Sequence, residues 1–229
     1  MRRGLMAPPS QNWPWIQMPV SSIWLAMLFP RRLAQLILGL SLYGASVGVM
    51  VRANLGLGPW SVFHQGVANH TGLTIGLITN GVGALLLLLW IPLRQRPGIG
   101  TIGNVLLIGT TADITLSLLP PPEGLPLRIG ALLFAVLLNG IAGGLYIGAG
   151  LGPGPRDGLM TGIVRLTNWP VPRVRTGIEV VVLALGWLLS GTVGVGTVLY
   201  ALSVGPLLGV FLPMFQVREP APKGLPVNP

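Results

Sequence analysis

The feature that most constrains this chain is a series of six long apolar stretches separated by charged or Pro/Gly-rich breaks. They run approximately over Leu33–Val51, Ile75–Leu93, Thr101–Leu119, Ile129–Ala149, Val174–Ser190 and Val195–Phe215. A hydrocarbon core about 30 Å thick is crossed by roughly 20 mainly apolar helical residues. Lipid offers no partner to an unpaired peptide group, so such stretches have to be helices. Charge supports this reading: only 8% of the 229 residues are charged, against about 25% in soluble domains. So little charge excludes a soluble enzyme, a disordered tail and a nucleic-acid reader. The sequence predicts an all-α integral membrane protein of six transmembrane helices. The stretch Ile16–Phe29 is apolar but short and holds Pro19, so an interfacial helix or loose tail is expected there, with a seventh span as the alternative. Prolines at 8, 9, 14 and 19 break any signal-peptide core.

The basic residues orient the chain. With the N-terminus in the cytoplasm and six alternating spans, twelve of the 14 Lys and Arg fall inside. Only Arg52 and Arg128 fall outside. Basic loops stay on the cytoplasmic side, so both termini are expected there.

The chain also repeats itself. Sliding it by 96 residues aligns 32–116 with 128–212 without gaps, and 22 of the 85 positions coincide. Among them are Gly44/Gly140, Gly48/Gly144, Gly56/Gly152, Gly58/Gly154, Pro59/Pro155, Gly98/Gly194 and Gly109/Gly205. Gly and Pro set backbone geometry, so their coincidence implies shared conformation. The domain reading is a tail over 1–31, repeat 1 over 32–119, a Pro-rich external loop over 120–127, repeat 2 over 128–215 and a tail over 216–229. Three spans per repeat is an odd number, so the second copy is expected upside down. Inverted repeats of this kind build many secondary transporters. The small-residue stripe Gly140, Gly144 and Gly148, echoed by Gly44 and Gly48, suggests that spans one and four cross closely where the repeats meet.

Each first span is followed by a Gly-Pro motif, Leu55-Gly56-Leu57-Gly58-Pro59-Trp60 and Leu151-Gly152-Pro153-Gly154-Pro155-Arg156-Asp157. The residues after each motif are too polar for an independent span. A turn and a short broken or re-entrant helix are therefore expected, with a surface helix as the alternative. Broken helices direct positive N-termini inward, which brings Pro59, Trp60, Pro155, Arg156 and Asp157 into the candidate solute path. Asp157 also suits a helix N-cap. Asp113 sits among Thr110, Thr111, Thr115 and Ser117 inside the third span. A carboxylate at such depth costs at least about 2.5 kcal/mol and marks a functional site by default. Its alternatives are a salt bridge to Arg52 or hydrogen bonds to those threonines. Glu179 is either a coupling group or the local partner of Arg175 at i−4. Arg52 is either an anion clamp or a side chain reaching outward to headgroups.

No P-loop or H-E-x-x-H, no G-x-G-x-x-G on a strand–helix unit and no Cys is present, so neither enzyme chemistry nor a metal or other cofactor is expected. The strings Arg31-Arg32-Leu33, Gly39-Leu40-Ser41-Leu42-Tyr43-Gly44, Leu55 to Trp60 and Gly152 to Met160 resemble the YczE branch of the YczE/YyaS/YitT-type bacterial membrane proteins. The resemblance covers about residues 31–215 and implies a multi-pass protein of the bacterial plasma membrane. Where first repeats of that family often carry Asp after Pro-Trp, this chain has Ser61. The resulting expectation is a permease that moves a small solute by alternating access, its partners being the bilayer and that solute. The alternative is a non-transporting accessory protein that binds another membrane component.

Overall fold

The structure, a computed structural model, describes residues 22–217. The expected N-terminal tail up to residue 21, and the C-terminal tail from 218, lie outside the described residues. The described residues form eight helices and no strand. They are α1 (Ser22–Ala53), α2 (Pro59–Thr71), α3 (Ile75–Trp90), α4 (Ile99–Leu118), α5 (Leu125–Gly148), α6 (Pro155–Thr167), α7 (Val171–Leu188) and α8 (Val195–Phe215). The 22–29 part of the N-terminal apolar stretch continues directly into α1.

Four helices are long and apolar enough to cross a membrane: α1 over Phe29–Ala53, α4, α5 and α8. A fifth arises if α2 and α3 count as one broken span, bent by 113°. Alone, α3 has 16 residues, about 24 Å at ~1.5 Å per residue. In α7, Arg173, Arg175 and Glu179 interrupt the apolar run.

Helix starts explain themselves locally. Proline opens both α2 and α6, where its missing N–H costs nothing. α4 and α8 begin at Gly98 and Gly194, whose N–H groups donate to Thr101 Oγ1 (3.1 Å) and Thr197 Oγ1 (3.2 Å). The duplication extends to the backbone. The starts of α2, α3 and α4 recur 96 residues later in α6, α7 and α8. Positive-φ residues pair at the same spacing: Asn54 with Gly150, Gly56 with Gly152, Gly72 with Asn168, Arg94 with Ser190. The remaining one, Gly124, lies in the connection between the halves.

The helix packing begins with α1, which lies against α4 and α5, while α5 also packs on α8. The first and fourth expected spans do cross, but the glycine stripe serves a different purpose. Gly44 and Gly48 admit α4 at Ile108, Thr111 and Thr115, while Gly140 and Gly144 admit α8 at Leu207 and Phe211. The glycines therefore tighten each half internally.

Between the halves the contacts are reciprocal. Leu55 O accepts from Gly196 N at 2.8 Å, and Leu151 O accepts from Gly100 N at 2.8 Å. Gly58 lies against Tyr200 as Gly154 lies against Asn104. Likewise α2 packs on α7 and α6 on α3. An exchange in which i meets j and the equivalent of j meets the equivalent of i is an isologous, two-fold interface.

Gly56 and Gly152 tie conformation to approach. Their φ values are 115° and 121°, and a Cβ would stand 2.7 Å from Gly194 N or 3.0 Å from Gly98 Cα. Gly56→Ala and Gly152→Ala are each expected to destabilise by about 1–3 kcal/mol. Gly81→Ala and Gly177→Ala, helical and in open space, are expected to be neutral or stabilising by up to ~1 kcal/mol. Thermal unfolding of the four detergent-purified variants checks this ordering.

Candidate functional site

Two chain breaks bring the first turns of α2 and α6 to one place. A cavity of about 110 Å³ opens there, lined by Tyr43 of α1, by Pro59, Trp60 and Ser61 of α2, by Arg156, Asp157 and Met160 of α6, by Arg175 and Glu179 of α7, and by Tyr200 of α8. Both halves of the duplication thus contribute walls. The N-caps of α2 and α6 are Gly58 and Gly154, neither supplying a side-chain cap. The first-turn N–H groups of both helices therefore have no side-chain cap from these residues.

The charged groups are individually held. The Arg156 guanidinium stacks on the Trp60 ring, 4.9 Å from its centroid, a cation–π contact worth about 0.5–2 kcal/mol. These two residues are 96 apart and hence equivalent in the repeat, so their contact sits on the approximate two-fold axis. Asp157 Oδ2 accepts from Tyr146 OH at 2.9 Å. It is the third helical residue of α6, and it makes no cap. Arg175 Nε donates to Glu179 Oε1 at 3.0 Å across one helical turn. With side chains 47% and 34% exposed, that pair contributes little to stability.

Behind the cavity runs a buried polar chain. Tyr200 OH donates to Asn139 Oδ1 (3.1 Å), Asn139 Nδ2 to Ser46 Oγ (2.7 Å), and Ser46 Oγ to Tyr43 O (2.6 Å). The Tyr200 proton being committed, Tyr43 OH donates to Tyr200 OH at 3.3 Å. Asn139 and Ser46 are buried, and each polar atom in the chain has a partner, as a low-dielectric interior requires.

Of the eight residues singled out from the sequence, Pro59, Trp60, Arg156, Asp157 and Glu179 meet at this cavity. Pro155 is one residue behind it, where its carbonyl accepts from Trp90 Nε1 at 3.0 Å. Asp113 and Arg52 stand elsewhere. Asp113 lines a separate, open groove at the α2–α3 turn. Its Oδ1 accepts from Gly76 N at 2.8 Å and its Oδ2 from Thr74 Oγ1, so it binds the N-terminus of α3 rather than Arg52 or the threonines of its own helix. Arg52 donates to Leu116 O at the end of α4. The tyrosines and Asn139 carried no sequence signal that acids carry. An amide in the middle of an apolar span was the one available hint, since lipid does not satisfy it.

Asp113→Asn is expected to lower stability by about 1–3 kcal/mol through loss of a charge-assisted bond to a helix start. Tyr146→Phe frees Asp157 without touching α3. Thermal unfolding with circular dichroism separates the two: Asp113→Asn shifts the midpoint down, and Tyr146→Phe shifts it by less.

Comparison with known proteins shows the family to which the chain belongs. The model of a family described as "Family of unknown function (DUF6198)" matches residues 30–213. An uncharacterized protein of Haemophilus influenzae is 36% identical over 93% of this chain and 94% of its own length. The uncharacterized membrane protein YczE of Bacillus subtilis is 37% identical over 75% of this chain and 80% of its own. The uncharacterized protein YyaS of the same organism is 23% identical over 78% and 91%. No solved structure matches the chain. A helical bundle with membrane-crossing helices, matched over most of its length, thus belongs to the DUF6198 family of YczE-like membrane proteins.

Proposed function

We propose that this protein moves a small polar solute across the bacterial plasma membrane by alternating access, through the cavity at the junction of its two halves. In this reading there are six spans, α3 and α7 included, with both termini cytoplasmic. The halves are inverted copies, and α2 and α6 are re-entrant helices entering from opposite faces. Three observations support it. Twelve of 14 basic residues fall on one side of that topology. The contacts between halves are reciprocal, as a two-fold axis in the membrane plane requires. The cavity lies on that axis, where Trp60 meets Arg156.

The observation that carries the proposal is the lining itself: two arginines, two carboxylates, two tyrosine hydroxyls and two uncapped helix N-termini around about 110 Å³. A packed core has no use for so many polar groups, each of which costs free energy to take out of water. A small solute with polar groups matches this lining, whereas Asp113 and Arg52 act as helix-end supports.

The test is thermal stabilisation of the purified chain by a panel of small organic anions, cations, zwitterions and polyols, followed by uptake into proteoliposomes. One chemical class should raise the unfolding midpoint and be taken up. Arg156→Ala and Asp157→Asn should weaken that binding about tenfold to hundredfold, from the ~1.5–3 kcal/mol carried by a hydrogen bond to a charged group. A folded chain that neither binds nor moves any panel member would leave the accessory, non-transporting role in its place.

A further inference from the structure

The two halves differ most at one helix pair, and the cavity borders that difference. In the first half α3 packs along α4. Gly76 and Gly109 are buried at the crossing. Asn80 Nδ2 donates to Thr110 Oγ1 at 3.2 Å, Asn80 Oδ1 accepts from Gly109 N at 3.0 Å, and Asp113 accepts from Gly76 N. In the second half α7 makes no comparable packing with α8. The equivalents of Gly109 and Asp113 are Gly205 and Gly209, both exposed, and a Cβ on either would meet nothing within 4 Å. The polar clamp is missing too: Thr176 and Gly209 replace Asn80 and Asp113, and Pro172 replaces Gly76. The cavity opens between α7, at Arg175 and Glu179, and α8, at Tyr200.

We propose that α7 is the movable wall of this cavity, docking in a second state on the Gly205–Gly209 face of α8 as α3 docks on α4. The register follows from the repeat. Gly83 stands against Val105 in the first half, so docking brings Glu179 against Ala201, beside Tyr200, and fills the cavity. Small residues on α8 allow the close approach. The absent clamp makes the contact reversible, while Asn80 and Asp113 keep α3 and α4 together. This inference deepens the transport reading and rests on it for its purpose, though its test is independent of any solute.

The chain has no cysteine, so paired cysteines report without background. In Gly83→Cys/Val105→Cys the Cβ atoms are 3.8 Å apart, within disulfide range of about 3.5–4.5 Å. The equivalent pair is Glu179→Cys/Ala201→Cys. A second reporter, Thr176→Cys/Gly205→Cys, uses two exposed positions and leaves Glu179 intact. Membranes are treated with copper phenanthroline, and the remaining thiols are counted by maleimide-polyethylene-glycol gel shift. The first-half pair should bridge fully, and both second-half pairs should bridge within one chain. A first-half bridge with no bridge in either second-half pair overturns the proposal. So does a bridge between two copies through Gly205→Cys, which would assign that face to a dimer. Bridging in a chain that moves no solute leaves the docking of α7 standing and removes the transport reading. Uptake by a chain that never bridges does the reverse.

Discussion

Backbone that leaves a helix inside a packed protein has to find its hydrogen bonds there, and this structure depends on how that demand is met twice. After α1 and after α5 the chain breaks, at 54–58 and 150–154, and each break passes through two positive-φ residues. Each then lends a carbonyl, Leu55 or Leu151, to a glycine N–H at the start of a helix in the other half, both at 2.8 Å. Neither half completes its own break. That mutual dependence holds the halves together at α1 and α5 and brings the starts of α2 and α6 to one point.

The cavity is a consequence of this exchange. Two helices that begin beside a two-fold axis present their uncapped amides to each other, and the residues just after each proline become neighbours. On one side that residue is Trp60, on the other Arg156, and the equivalence of position combined with difference of chemistry produces the cation–π contact. Asp157 is steadied by Tyr146 and Glu179 by Arg175, so the lining is charged but locally balanced. The tyrosine–asparagine–serine chain behind it fixes Tyr43 and Tyr200 from α1, α5 and α8. Those helices give the cavity walls fixed by hydrogen bonds, while α7, packed on α2 and α6, makes little contact with α8.

Much of this was legible in the sequence because the informative residues govern backbone. Gly-Pro motifs announce a helix start at the residue where it occurs, and the 96-residue repeat recurs in the helix starts and the positive-φ positions. Side-chain partnership was less legible. Asp113 looked functional because its depth in an apolar run is costly, yet its partners, Thr74 and the Gly76 amide, come from a turn 37 to 39 residues earlier. The tyrosines give no signal along the chain, since a phenol is at ease in apolar surroundings until its hydroxyl is placed. The spans were harder still. α3 ends at Trp90 because the chain turns at Arg94, with φ 51°, whereas its apolar run continues to Leu93. The looseness of α7 against α8 follows from three substitutions between the halves, and their meaning appears only once α3 and α4 are seen in contact.

The central claim is that the halves are related by a two-fold axis lying in the membrane plane. Arg94 and Ser190 are equivalent, exposed and at matching turns. Arg94→Cys and Ser190→Cys, each the sole cysteine of the chain, are labelled in intact cells with a membrane-impermeant maleimide and again after permeabilisation. Opposite orientation requires Ser190→Cys to react in intact cells and Arg94→Cys only after permeabilisation. Reaction of both positions under the same condition would contradict it.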